Sequence, residues 1–204
     1  TGGGQTEVFA GRVLALAQNL RKSGKMVNFR PLCFTSYVIA VPKGNPAKIA
    51  SIEDLTRPGV RVAMALEASA PGGQAVMGIL KAADISAKVL ANVREQGSCV
   101  QRSVADVTEG KADAMIVERR ICRMARFADK LEYVEIPERL FPAGPLTFTV
   151  GMMANAADPA KATAYMDWIT SAQGQAYFEA AGFIPAISPK GMELVEKLGV
   201  KDVA

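Results

Sequence analysis

No histidine occurs among the 204 residues. Its absence removes the commonest general base and the commonest metal ligand, which argues against histidine-containing hydrolytic triads and against most zinc sites. Cysteine is scarce too: Cys33, Cys99 and Cys122 are widely separated, form no C-x-x-C pair and, being odd in number, cannot close a disulfide framework. At most one bridge could form. Long apolar runs are also missing. Uncharged stretches such as 31–42 and 143–157 are too short or too broken by Pro, Gly, Thr and Asn to span a bilayer of about 30 Å, so no transmembrane helix is predicted. Neither charge sign dominates. The 24 Lys and Arg against 20 Asp and Glu leave a net charge of +4, which suits small anions without implying nucleic acid. The chain opens Thr-Gly-Gly-Gly, with neither an initiator Met nor a charged-then-apolar leader, which points to processing or truncation upstream.

What is present reads as a folded α/β protein. Apolar residues make up 50% and charged residues 22%, a globular balance, and the length suits one large domain or two small ones. Val13, Leu14, Leu16, Ala17 and Leu20 recur at helical spacing before Gly24, predicting a helix over 9–23. The apolar run 37–41, closed by Pro42 and Gly44, reads as a strand buried on both faces, as in a parallel sheet. Further strands are predicted at 60–65, 88–93, 112–117, 131–136 and 146–153. Helices are predicted at 69–83, from Gly97 to Gly110, at 119–128, from Asp158 through Ile169, and from Ala172 to Gly182. A short one follows Ser51. This alternation predicts mostly parallel sheets with flanking helices, in which ligands sit beyond the carboxyl ends of strands, at helix N-termini.

Three strand-to-helix junctions therefore carry the candidate chemistry. At Ser69-Ala70-Pro71-Gly72-Gly73 two glycines let backbone N–H groups approach an anion at the positive end of the next helix, although a plain capped helix explains the same residues. Gly97-Ser98-Cys99-Val100 is a second small, polar entry to a helix. Cys99 there is either a thiolate activated by the helix end or a small packed side chain, and with no histidine as base the packed reading is preferred. At the third junction, Glu118 ends a strand beside Arg119 and Arg120. Arg119, Arg123, Arg126 and Lys130 would share one solvated face of the helix that follows. Trp168 and Tyr177 read as packing residues, and the nine methionines as core filler.

The order of several segments resembles a known family. Glu7-Val8-Phe9-Ala10, the run from Tyr37 through Pro42-Lys43-Gly44-Asn45-Pro46, Ser51-Ile52-Glu53-Asp54-Leu55 and Pro58-Gly59-Val60-Arg61-Val62-Ala63 are similar to the molybdate-binding proteins of ABC transporters. So are Glu109-Gly110-Lys111-Ala112-Asp113-Ala114, Ser171-Ala172-Gln173-Gly174-Gln175-Ala176 and Ala181-Gly182-Phe183. The likeness runs from about residue 5 to 190. It implies the two-lobed, periplasmic-binding-protein-like α/β fold (type II), with lobe I formed by 1–41 and 146–204, lobe II by 42–145, and the ligand in the cleft between them. Family chains carry a further βαβα segment ahead of the part present here, so some first-lobe ligand residues have no counterpart.

The resemblance places Gly72 and Val100 where backbone N–H groups bind the oxyanion, with Ser69, Gly73, Ser98 and Cys99 around them. Glu118 falls where the family usually has a tyrosine hydroxyl. A carboxylate there repels a dianion unless it is protonated, offset by arginine or bonded to a metal centre. The implied function is capture of a small oxyanion such as molybdate or tungstate and delivery to an ABC permease, in the periplasm or otherwise outside the cytoplasm, with membrane anchoring through the missing N-terminus. A monomer is expected, with no enzymatic activity, no cofactor, no bound structural metal ion and no nucleic-acid partner. The rival readings are a binder of an organic anion or soft metal cation, and an effector-binding sensor domain on the same scaffold.

Overall fold

The computed structural model describes residues 6–141 and 147–202. Its elements begin with β1 (Val8–Arg12), α1 (Leu14–Lys22), β2 (Met26–Phe34), β3 (Tyr37–Pro42), a 3-10 turn at Ile52–Thr56, β4 (Val62–Met64), α2 (Ala70–Ala82), α3 (Ser86–Ala91) and β5 (Val93–Gln96). They continue with α4 (Val100–Thr108), β6 (Met115–Glu118), α5 (Arg119–Cys122), β7 (Leu131–Glu135), a second 3-10 turn at Glu138–Leu140 and β8 (Thr147–Met153). Last come α6 (Pro159–Thr170), α7 (Ala172–Ala180), β9 (Ile184–Pro185) and α8 (Pro189–Leu198).

By their internal contacts the residues form two compact units, Thr1–Thr35 with Leu146–Ala204, and Ser36–Pro145. The first division lies at Thr35/Ser36 rather than after residue 41, because β3 pairs with β6 on one side and β7 on the other. Leu146, the expected start of the strand after the second division, lies outside the described residues, as do 143–145.

In the discontinuous unit the sheet order is β1-β8-β2-β9, and every pairing is antiparallel. Apolar side chains of its two faces pack beneath helices. Leu32, Cys33, Val150, Met166 and Ile169 form one cluster, and Ala17, Met26 and Phe29 another under α1. Helix α8 adds Leu194 to a third cluster around Phe34. In the continuous unit β6-β3-β7 is antiparallel, β4 and β5 are parallel, and a parallel bridge between Val62 and Ala114 connects the two sheets. Its core gathers Val38, Ala40, Ala63, Val104, Val107, Met115, Val117 and Ile121.

The expectation of mostly parallel sheets is thus corrected: among the described residues parallel pairing is confined to the neighbours of β4. An unbroken apolar run such as 37–41 reports burial on both faces, and a central antiparallel strand satisfies that as well as a parallel one. Residues 9–12, expected as helix, belong to β1, which pairs in continuous register from Val8–Met152 to Arg12–Phe148. Val13 marks the break, with a φ of 76° that a β-branched residue adopts only under tertiary constraint. Residues 88–91 are the end of α3 rather than strand, and the helix expected over 119–128 stops at Cys122. Trp168 and Tyr177 are exposed, at 44% and 66%. They line up with Tyr165 at ring spacings of 6.2 Å along α6 and α7.

Candidate functional site

Within Ser36–Pro145, strands β4, β5 and β6 run in one direction and β3 runs opposite. The carboxyl ends of the first three and the start of β3 therefore share one edge. All three junctions singled out in the sequence leave the sheet there, and the register places Tyr37 opposite Glu118.

At the first junction Ser69 occupies the N-cap position of α2 with extended backbone, but its side chain makes no capping hydrogen bond. Pro71 has no N–H to offer. The N–H of Gly73 donates to the Ser69 carbonyl at 2.8 Å, so it is spent inside the helix. That leaves Gly72 as the first-turn glycine donor that no helical carbonyl can reach. Gly73 serves another purpose: a Cβ at this position would overlap the Leu66 carbonyl oxygen and lie 2.9 Å and 3.1 Å from the Leu66 carbonyl carbon and Cα. The absence of a side chain lets α2 start directly against the end of β4.

The second junction is tied to the same strand. Gly97 donates its N–H to the Met64 carbonyl at 2.8 Å, and a Cβ on Gly97 would collide with the Ser103 hydroxyl. Arg102 and Ser103 donate their N–H groups to the Cys99 carbonyl at 3.1 Å and 3.0 Å. The N-cap residue Cys99 makes no side-chain capping hydrogen bond, and the Val100 N–H at the first position of α4 has no helical carbonyl to reach. Ser98 and Cys99 are exposed, and the packed reading of Cys99 is corrected. The N–H groups of Arg102 and Gln101, aided by the charges of Arg126 and Arg102, hold its thiol below the usual pKa. Burial instead pushes Cys122 up to about 11, against the pull of Arg119. A depression of about 440 Å³ beside Cys99 is lined by Arg102, Glu109, Arg126 and Lys130.

At the third junction Glu118 is 6% exposed and its Oε2 accepts from Arg120 Nε at 2.5 Å. Its charge is offset by a neighbour two residues on. Arg119 turns to β3: its N–H donates to the Ser36 carbonyl at 2.9 Å and its Nε to the Ser36 hydroxyl at 3.0 Å. Its Nη2 donates to Glu135 at 2.6 Å, and the guanidinium lies 5.3 Å from the centre of the Tyr133 ring. Because α5 ends at Cys122, Arg119, Arg123, Arg126 and Lys130 do not form the expected helical face. Sequence reasoning missed Ser36; the available signal was a hydroxyl immediately before the buried run 37–41. Among the described residues no group of three or more His, Cys, Asp or Glu could hold a metal ion.

Comparison with known proteins adds a family. Residues 1–184 match the model of the bacterial extracellular solute-binding protein family. The molybdate-binding protein ModA of Mycobacterium bovis is 31% identical over 186 residues, covering 90% of this chain and 67% of the relative, and that of Mycobacterium tuberculosis matches to the same extent. Among solved structures, a substrate-binding domain assigned to a molybdenum ABC transporter from Clostridium difficile aligns with a TM-score of 0.76 at 21% identity, over 90% of this chain and 78% of that one. The sulfate-binding protein SubI from Mycobacterium tuberculosis aligns at 0.67 with 20% identity, over 97% and 75%. These structural likenesses extend to the periplasmic-binding-protein fold.

Proposed function

Since this chain belongs to the bacterial extracellular solute-binding protein family, we propose that it captures molybdate or tungstate outside the cytoplasm and hands the anion to an ABC permease. Members of the family bind solutes and are not enzymes. The choice of ligand is supported by the ModA relatives and by the chemistry of one sheet edge. The observation that carries it is the pair of uncapped helix starts, α2 at Gly72 and α4 at Val100, opening beside the same strand ends. Helix N-termini offer N–H donors and partial positive charge, which suit an oxyanion. The nearby carboxylates of Glu118 and Glu135 are each paired with arginine, which lessens their repulsion of an anion. Ser69, Gly73, Ser98 and Cys99 shape or border the site in this reading, and the protein acts as a monomer.

Thermal unfolding with molybdate, tungstate, sulfate, phosphate and divalent metals tests the assignment. A ligand present at 100 times its Kd stabilises the folded state by about 2.7 kcal/mol, a readily measured rise in Tm. Molybdate or tungstate should give the largest rise. A response to sulfate alone would move the assignment to another oxyanion, and a response to metals alone would overturn it.

A further inference from the structure

We propose that Ser36 is a ligand-binding residue whose hydroxyl donates a hydrogen bond to an oxygen of the bound anion, an inference that rests on the oxyanion reading above. Arginine has no acceptor, so in the 3.0 Å contact with Arg119 Nε the Ser36 oxygen must accept. Its own proton is then directed elsewhere, and among the described residues no acceptor takes it. Ser36 is only 7% exposed, so this donor is largely withheld from bulk water. A buried hydroxyl whose oxygen is engaged and whose proton is not is the arrangement expected of a group waiting for an acceptor.

Its surroundings make it a well-held donor. The backbone bond from Arg119 to the Ser36 carbonyl and the side-chain bond to its hydroxyl fix both ends of the residue. Arg119 is itself held by Glu135 and lies against Tyr133. Donation from a guanidinium also polarises the O–H and strengthens it toward an anion. The residue sits at the edge where β3 starts and β4, β5 and β6 end, with the next residue opposite Glu118. A neutral O–H would thus stand on the same sheet edge as the Gly72 and Val100 N–H groups, which favours an acceptor-only ligand over a cation.

The test uses the whole chain and whichever of molybdate, tungstate and sulfate raises the Tm of the unaltered protein. Calorimetric titration of Ser36→Ala should show binding weaker by roughly tenfold to a hundredfold, the loss expected for one hydrogen bond to a charged group. Ser36→Thr, which keeps the hydroxyl, should stay within about threefold of the unaltered protein. The ligand-free Tm of both variants should stay close to that of the parent. If the parent binds one of these anions and Ser36→Ala binds it equally well, the assignment of Ser36 fails and the oxyanion reading stands. A Ser36→Ala chain that does not fold, or equal losses of Tm and affinity in both variants, would make Ser36 structural and overturn the assignment. If the parent binds none of the three anions, the oxyanion reading fails and Ser36 falls with it.

Discussion

Two adjacent glycines at the start of α2 should respond oppositely to the same added methyl group. At Gly73 the new Cβ would overlap the Leu66 carbonyl oxygen and sit 2.9 Å and 3.1 Å from two more backbone atoms. Ordinary carbon–carbon contacts lie at about 3.5–4.0 Å. Backbone cannot rotate away as a side-chain tip can, so either Leu66 or the first turn of α2 must move by several tenths of an ångström or more. Such overpacking costs about 1–3 kcal/mol, partly offset by the roughly 0.4–1 kcal/mol that a compatible Gly→Ala change gains by restricting the unfolded chain. For a protein of this size, Gly73→Ala should therefore lower Tm by roughly 2–8 °C. It should also weaken anion binding by about tenfold or more, because the displaced turn carries the Gly72 donor. At Gly72 the added Cβ would meet only the Ser69 side chain, at 3.5 Å and 3.6 Å, which is ordinary contact. Gly72→Ala keeps its N–H and should raise Tm by roughly 1–4 °C with affinity within about threefold. Thermal unfolding and calorimetric titration of the two variants side by side decide the matter. A Gly73→Ala protein that melts and binds like its parent would refute the close approach of α2 to β4.

Other perturbations read the remaining junctions. Glu118→Gln leaves an amide oxygen able to accept from Arg120, so molybdate affinity between pH 5 and 8 should change by less than about threefold; a change beyond tenfold in either direction would show that the carboxylate meets the ligand. Cys99 should react with a disulfide reagent at neutral pH far faster than Cys122, whose thiol is buried, and saturating molybdate should slow it because an anion beside Val100 disfavours a thiolate. Equal labelling rates with and without a bound anion would separate Cys99 from the site. Burial opposes ionisation of Asp113, but the hydrogen bonds and charge of Arg61 outweigh it and leave the pKa below the usual value. A depressed carboxylate stabilises the fold above its unfolded pKa, near 4, and that contribution is lost as pH falls through the folded value. Asp113→Asn should therefore lower Tm at pH 7 and flatten its decline below pH 4, and an unchanged acid limb would refute this.

How far the sequence could be read depended on the range of the physics involved. The starts of α2 and α6 were legible because their signals are local: Pro71, Pro159 and the glycines near Gly72 act on their own backbones. Pairing direction was not, since β3 acquires its antiparallel neighbours from residues 115–118 and 131–135, which no short window contains. Strand β2 escaped notice because its register against β8 slips twice, which blurs the alternation of inward and outward side chains. The candidate site shows the same divide. Gly72 and Val100 could be picked out because a helix start is a sequence feature. Gly73 looked like a second donor until its N–H was seen to close the first turn, and Ser36 gains its meaning only from Arg119, 83 residues away.

The placement of β8 between β1 and β2 has a consequence for the order in which the chain can acquire its fold. Strand β1 pairs with residues 147–153, and β2 pairs with the same residues and with β9 later still, so among the described residues neither has a strand partner that precedes it or soon follows it during synthesis. The whole segment from Ser36 to Phe141 emerges before that partner, and its sheets can zip up from their own residues meanwhile. At roughly 5–20 residues per second, β2 waits on the order of 5–20 s for β8. Closing so large a loop also carries a greater entropic cost than closing a hairpin. The nascent protein therefore passes through an interval in which one half has settled while the other is exposed, and that interval is when a holdase would matter most to it.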